Sequence, residues 1–255
     1  MTFLDSIILG IIQGFTEFLP ISSSGHLVLG QRLLNLNMPG NQLEVVMHMG
    51  TLLSILVVFW NDILSILKSL LNKETQRYVL TIVFATIPAI IVGLGFKDQI
   101  EVIFDSVILV GVNLCVTGIF LWLTKYLSRM ENKISMKRGI LVGIIQAIAI
   151  LPGISRSGST ISMALFLKIS QKEAAKFSFL LAIPALAGAG ILTAIDGMNS
   201  NDPSMSILPL AAGFISSFIV GWISLKWLMK LLKQGQFHWF GIYCFIIGLL
   251  TILFA

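Results

Sequence analysis

Glu17 is a carboxylate set in apolar sequence, four positions after Gln13 and three before Pro20. Residues four apart share a helix face. A proline cannot continue a helix interior and restricts the residue before it, here Leu19. Gln13 and Glu17 are therefore expected on one face of a short helix that ends at the proline. A carboxylate at such a place serves as a general base, a metal ligand or an orienter of a neighbour; an exposed Glu at an interfacial helix end is the plainer alternative. Behind Pro20 stand Ser22, Ser23, Ser24, Gly25 and His26. Serines cap helices, and the free amides of a helix N-terminus bind anions, phosphate above all. Ser23 and His26 can share a face, and a serine, a histidine and a carboxylate together have the composition of an activated nucleophile. Capping alone accounts for one serine, and a structural histidine is the plainer reading of His26.

A second constellation is Pro152-Gly153-Ile154-Ser155-Arg156-Ser157-Gly158-Ser159-Thr160. An arginine among hydroxyls, just before a helix, makes a phosphate clamp. An arginine snorkelling to an interface is the alternative. Ser159 and Thr160 either cap or donate to the same anion. Glu44 and His48 are an i,i+4 pair that lines a site entrance or sits at the interface. His238, Trp239 and Trp60 read as an interfacial belt, and Asp196 and Asp202 as part of a solvated turn over 196–206.

These groups must be held by elements that suit a bilayer. The chain is 56% hydrophobic and 11% charged, with a mean hydropathy of +0.93, against about 25% charged in a soluble domain. Apolar runs of roughly spanning length recur near 45–67, 79–96, 104–124, 177–195, 207–225 and 238–255. The N-terminal stretch has no basic n-region or small-residue cleavage site, so a removable signal peptide is not expected. Cys115 and Cys244 sit inside apolar runs as packing residues, and neither lies in a motif, so redox chemistry is unsupported.

The two constellations are copies of one device. Ile11-Ile12-Gln13 returns as Ile144-Ile145-Gln146, Leu19-Pro20 as Leu151-Pro152 and Ser24-Gly25 as Ser157-Gly158. Further along, Ile91-Val92-Gly93 is answered by Ile219-Val220-Gly221, and Gly111 and Gly118 by Gly241 and Gly248. The chain divides into halves near 1–127 and 128–255. The segments flanking each cluster, 3–18 with 23–34 and 138–150 with 157–168, are too short to cross, so each pair is a re-entrant hairpin followed by three spans. An odd number of spans starts the second half on the opposite face. Loops assigned to one face carry Lys68, Lys73, Arg77, Lys125, Arg129, Lys133, Lys137, Arg138, Lys168, Lys172, Lys176, Lys226, Lys230 and Lys233; the other face holds Arg32 and Lys97. That bias marks the basic face as cytoplasmic, which accounts for the net charge of +5 without nucleic acid. The expected fold is an all-α polytopic membrane protein, one integral domain over 1–255. It has six transmembrane helices plus two re-entrant helix-loop-helix hairpins in an inverted-topology repeat, with both termini extracytoplasmic. One hairpin brings a carboxylate, serines and a histidine, the other an arginine with hydroxyls, and the anion that suits them inside a membrane is the phosphate head of a lipid.

Here the chain resembles the undecaprenyl-diphosphate phosphatases of the bacitracin-resistance type. That family is marked by a (Glu/Gln)-x-x-x-Glu motif, a Ser/Thr-Gly-His segment and a Pro-Gly-x-Ser-Arg-Ser-Gly-Ser-Thr motif. They stand here as Gln13 to Glu17, Ser22 to His26 and Pro152 to Thr160, in order and over essentially the whole chain. The resemblance implies hydrolysis of undecaprenyl diphosphate to the monophosphate and inorganic phosphate, recycling the lipid carrier of cell-wall peptidoglycan synthesis. It implies a bacterial cell-membrane location, a site opening outward and a divalent cation, Mg2+ or Ca2+, with Glu17 as its ligand. Gln13 stands where the pattern also allows Glu; an amide cannot act as a base and is the poorer metal ligand. On this reading Glu17, Ser23, His26 and Arg156 are catalytic. Ser23 attacks or orients water, His26 shuttles the proton, Glu17 holds His26 or the cation, and Arg156 neutralises the diphosphate. Gln13, Ser22, Ser24, Gly25, Ser155, Ser157, Gly158, Ser159 and Thr160 bind substrate. The expected partners are the polyprenyl diphosphate and the membrane, with a homodimer left open. The rival class is a lipid-phosphate flippase or secondary transporter, since inverted repeats of broken helices are a transporter device.

Overall fold

The computed structural model describes residues 2–36, 42–127, 132–199 and 206–255. Every regular element among them is helical, apart from one isolated bridge between Asn132 and Ile169. In chain order the helices are α1 (Phe3–Phe18), α2 (Ser23–Leu33), α3 (Gln42–Val58), α4 (Trp60–Lys68), α5 (Lys73–Gly95), α6 (Lys97–Asp105), α7 (Val107–Leu123), α8 (Met136–Ile148), α9 (Arg156–Phe166), α10 (Gln171–Asn199), α11 (Ile207–Lys233) and α12 (Trp239–Phe254). A 3-10 turn follows α7 at Thr124–Tyr126.

The short paired helices are delimited by their caps. Thr2 and Asp5 form a reciprocal capping box at the start of α1. The helix ends at Leu19, in extended conformation before Pro20. Ser22 caps α2, Ser135 caps α8 and Ser155 caps α9, each side-chain oxygen accepting an amide of the first turn. Among the described residues, four helices are long and apolar enough to cross a membrane: Lys73–Gly95, Val107–Tyr126, Gln171–Leu192 and Ile207–Lys233. A fifth is α3 with α4, if that pair, bent by 66°, counts as one span. Helix α12 is apolar but has only 16 residues, against about 20 for a full crossing. On α5, Val83, Phe84, Ile87, Ile90 and Ile91 lie exposed, a surface suited to lipid and not to water. The chain is a multi-pass membrane protein.

Three features differ from the sequence reading. The run 45–67 is not one straight helix but breaks at Phe59. Lys226, Lys230 and Lys233 belong to α11, which continues past its apolar portion. Helix α10 runs through Asp196 to Asn199, where a turn was expected; Asp202 and Arg129 lie outside the described residues.

Lipid is as apolar as leucine, so helices in a membrane associate through close packing and interhelical hydrogen bonds. Here α1 lies on α11, α8 on α5 and α7 on α12, each pair joining one half of the chain to the other. Glycine sets the closest approaches. A Cβ at Gly118 would stand 2.7 Å from the Gly241 carbonyl, and one at Gly241 2.6 Å from the Gly118 carbonyl; Gly111 and Gly248 meet in the same way. The four glycines of the sequence repeat thus meet in crossed order, Gly111 on Gly248 and Gly118 on Gly241, as antiparallel helices require. Between α11 and α1, Ser224 donates to the Gly14 carbonyl at 2.6 Å. The aromatic core lies beneath the end of α1, where Phe18 and Phe59 both pack on Phe179, with ring centroids 5.7 and 5.9 Å apart.

Candidate active site

The loop after α1 and the loop after α8 meet inside the protein. Ser22 makes the join: its Oγ accepts the amide of Gly25 at 3.3 Å in its own loop and that of Gly153 at 3.1 Å in the other. Its backbone is held at φ 70° and ψ 100°, a left-handed strain that persists only where surrounding structure enforces it. Gly153 has φ +91° and packs against the Val110 carbonyl and Asn113, where no side chain would fit. Ser157 reaches the Leu19 carbonyl at 3.4 Å.

Helix α7 fixes the second loop from outside the hairpin. Asn113 Nδ2 donates to the Pro152 carbonyl at 2.8 Å. The Thr117 hydroxyl donates to the Gly153 carbonyl at 2.9 Å and accepts the Ser155 amide at 3.1 Å. The first loop has a lighter anchor, Cys244 Sγ to the Pro20 carbonyl at 3.5 Å.

Through this junction Glu17 and Arg156, far apart in the chain, come into contact. Arg156 Nη2 lies 2.7 Å from Glu17 Oε1, with the two side chains 15% and 4% exposed. The other oxygen, Oε2, accepts Ser23 Oγ at 2.7 Å and Gln13 Nε2 at 3.1 Å, and stands 3.5 Å from His48 Nε2. Two polar atoms remain buried without a hydrogen-bond partner here, Arg156 Nη1 and Gln13 Oε1. The amides of an α-helix's first turn have no acceptor within the helix. Ser22 takes those of Gly25 and His26, and Ser155 those of Gly158 and Ser159. The amides of Ser23, Ser24, Arg156 and Ser157 are left, so two helix N-termini with their positive dipole ends converge on one carboxylate and one arginine.

The structure thus unites Glu17, Ser23, Arg156 and Gln13 and sets His26 apart. His26 Nδ1 lies 2.9 Å from the Ser22 carbonyl and must donate to it, and Nε2 lies 2.9 Å from the Tyr243 hydroxyl. Both ring nitrogens are engaged away from Glu17. Several hydroxyls expected on substrate have structural partners instead. Ser155 caps α9, Ser24 Oγ lies 3.4 Å from Ser22 Oγ, and Thr160 bonds the Arg156 carbonyl at 2.8 Å and Ser178 Oγ at 2.6 Å. Ser159 is buried in α9. Gly25 and Gly158 permit close approach, a Cβ on either falling 3.1–3.2 Å from Gly153 Cα or Pro20 Cβ.

Three contributors were not legible as such: Thr117, Asn113 and Tyr243. The signal for the first two was available, two polar residues four apart inside an apolar span. His48, read from sequence as an entrance or interface residue, faces Glu17, while Glu44 accepts Gln31 Nε2 at 2.8 Å.

For a cation, no three His, Cys, Asp or Glu side chains come together among the described residues. Glu17 with the orphaned Gln13 Oε1 and the Ser23 hydroxyl is a set of hard oxygen donors, the kind that holds Mg2+ or Ca2+ when substrate phosphates supply the remaining ligands. The residues fit a cation shared with a diphosphate.

Comparison with known proteins gives the same direction. Residues 6–250 match the model of the family described as bacitracin resistance protein BacA. An undecaprenyl-diphosphatase of Christiangramia forsetii is 43% identical over 264 residues, covering 100% of this chain and 99% of its own. Undecaprenyl-diphosphatase 1 of Bacillus cereus is 41% identical, covering 98% and 97%. An undecaprenyl-diphosphatase of Bacteroides thetaiotaomicron is 42% identical over 262 residues, covering 99% of each.

Proposed function

The chain belongs to the bacitracin resistance protein BacA family, and from that premise we propose that it hydrolyses undecaprenyl diphosphate to undecaprenyl phosphate and inorganic phosphate. It is a membrane phosphatase, and its product is the lipid carrier that cell-wall synthesis reuses. The observation that carries the reading is Glu17 bridging Ser23 and Arg156, both at 2.7 Å, with Arg156 Nη1 buried and unpartnered beside them. A buried guanidinium nitrogen without an acceptor is an anion site in waiting. The names of the relatives favour hydrolysis over the flippase or transporter alternative.

In the mechanism that this geometry supports, the terminal phosphate docks on Arg156 Nη1 and the first-turn amides of α2 and α9. Ser23 Oγ attacks the terminal phosphorus while its proton passes to Glu17 Oε2. The bridging P–O bond breaks, and undecaprenyl phosphate leaves with its oxygen carrying the electron pair. The proton on Glu17 passes to the departing phosphate oxygen, which restores the carboxylate. Water then cleaves the phosphoserine as Glu17 takes its proton and hands it to Ser23 Oγ when the P–Oγ bond breaks, giving inorganic phosphate and restoring Ser23. Arg156 stabilises the charge on the transferring phosphoryl group. The role expected of His26 shifts: bonded to Ser22 and Tyr243, it positions the start of α2, and Glu17 carries the proton. We assign the cation, Mg2+ or Ca2+, to Glu17 and Gln13 Oε1 together with the diphosphate; when bound it supplies charge neutralisation of the phosphates.

The same proposal includes six spans and two re-entrant hairpins in an inverted repeat, in a bacterial cell membrane, with both termini and the site's opening on the outer face. Its support is the reciprocal pairing of α1 with α11 and α8 with α5, together with the distribution of Lys and Arg.

The test is phosphate release from undecaprenyl diphosphate by purified protein in detergent. Removing one preorganised donor costs about 10²–10³ in rate, so Arg156→Ala and Ser23→Ala are expected to lose at least that. Arg156→Ala also strands a buried carboxylate, so Arg156→Lys, which keeps the charge and loses the fork, is measured beside it. Wild-type release by either arginine variant overturns the site.

A further inference from the structure

Helix α3 belongs to neither hairpin, yet it brings His48 to the carboxylate oxygen that Ser23 uses. His48 Nε2 stands 3.5 Å from Glu17 Oε2, and its other ring nitrogen, Nδ1, lies 2.7 Å from the Glu44 carbonyl. A carbonyl only accepts, so Nδ1 carries the proton, and the neutral ring turns the lone pair of Nε2 toward Glu17. The backbone around His48 is fastened to α11. Ser217 Oγ donates to the Met47 carbonyl at 2.9 Å, and Ser54 Oγ to the Phe218 carbonyl at 2.8 Å. We infer that His48 is a ligand of the cation at Glu17, and that its nitrogen turns the site toward a first-row transition-metal dication and away from Ca2+. The inference rests on the function proposed above and deepens its cation site.

Two acceptors that face each other need something positive between them, either a proton on Nε2 or a metal ion. Spacing separates the two. A charge-assisted N–H···O bond closes to about 2.7–2.9 Å, the length that Arg156 reaches on the other oxygen of the same carboxylate. At 3.5 Å His48 has made no such bond. Two ligands of one ion, each about 2.1 Å from it, stand about 3.0–3.4 Å apart, close to the separation found. Gln13 points the same way. Its Nε2 reaches Glu17 Oε2, while its Oε1 is buried with no partner. A proton on His48 leaves that oxygen stranded, whereas a cation serves it. The bond to the Glu44 carbonyl is also the one expected of a ligand, since a metal-binding histidine almost always donates its other N–H to a carbonyl, carboxylate or water, fixing the tautomer and the ring's direction. Oxygen donors alone suit Mg2+ and Ca2+, but an imidazole nitrogen favours the transition metals.

The experiment uses Mn2+ as the probe, titrated into chelator-treated, purified protein in detergent with inorganic phosphate, the reaction's product, in excess. Pulsed electron paramagnetic resonance of the bound Mn2+ is expected to show the nitrogen modulation of a coordinated imidazole. His48→Gln, a side chain of similar reach, should abolish that modulation and weaken Mn2+ binding about tenfold or more, while Ca2+ binding changes less than about threefold. His26→Gln should keep the modulation, because His26 Nε2 faces Tyr243. Wild-type protein that binds no Mn2+, or binds it without nitrogen modulation, overturns the inference and needs no variant to do so. Modulation that survives His48→Gln also overturns it, as does an equal loss of Mn2+ and Ca2+ affinity in that variant, which would mark a structural role. The proposed function fails separately: protein that binds Mn2+ through His48 yet releases no phosphate from undecaprenyl diphosphate leaves the cation site standing and removes the hydrolysis.

Discussion

Each oxygen of the Glu17 carboxylate has its own company: Oε1 has Arg156, and Oε2 has Ser23, Gln13 and His48. One carboxylate holding an arginine on one side keeps its other side available to a serine proton. A buried ion pair of this kind contributes little net stability, yet losing one partner is expensive, which suits a pair kept for chemistry. Gln13 defines the weak point of the arrangement. Its Nε2 supports Glu17, while its Oε1 has no partner, so the proposed cation meets a single anionic side chain. Affinity of hard cations rises with the number of charged ligands. Gln13→Glu is therefore expected to lower the Mg2+ concentration for half-maximal phosphate release about tenfold, measured by titrating cation into chelator-treated protein. An unchanged requirement means that position 13 does not face the cation.

At the scale of elements, the hairpin helices were legible and their fastening was not. Caps and prolines are local signals, so α1, α2, α8 and α9 were readable to within two residues of the ends found. The break between α3 and α4 carries no proline or glycine, so an apolar run concealed it. The clamp of α7 on the second loop joins Asn113 and Thr117 to backbone atoms of Pro152, Gly153 and Ser155, and such long-range side-chain-to-backbone bonds leave no periodicity. Thr117 is 1% exposed, so Thr117→Val keeps the shape while stranding a buried carbonyl and a buried amide, at about 1–3 kcal/mol each. The loop ends on Arg156, hence kcat should fall at least tenfold, a loss of about 1.4 kcal/mol of transition-state stabilisation, with a smaller change in KM. Thr117→Ser, which restores the hydroxyl, should recover most of it. If Thr117→Val only lowers the melting temperature and leaves kcat intact, the clamp is structural alone.

For the whole molecule, the question is why one half supplies the carboxylate and the other the arginine. In the proposed topology the two copies enter from opposite faces, which turns their loops toward each other. The repeat is read from the Leu-Pro and Ser-Gly that both copies keep, and its glycines on α7 and α12 touch in crossed order, Gly111 on Gly248 and Gly118 on Gly241. The orientation of His26 was not legible, because Tyr243, from the last helix, decides it. Opposite insertion requires an odd number of spans between the hairpins. That makes the end positions diagnostic: with three spans in each half, both termini lie on the outer face, and the ends of α4 and α11 and the start of α10 carry their lysines to the cytoplasmic face. Single cysteines are introduced into a variant with Cys115 and Cys244 replaced, and probed in intact cells with a membrane-impermeant maleimide. Thr2→Cys and Phe254→Cys should label in intact cells, whereas Lys68→Cys, Lys172→Cys and Lys233→Cys should label only after permeabilisation. Labelling of positions 2 and 172 from the same face would leave an even number of spans between the hairpins, and the two could then not enter as inverted copies.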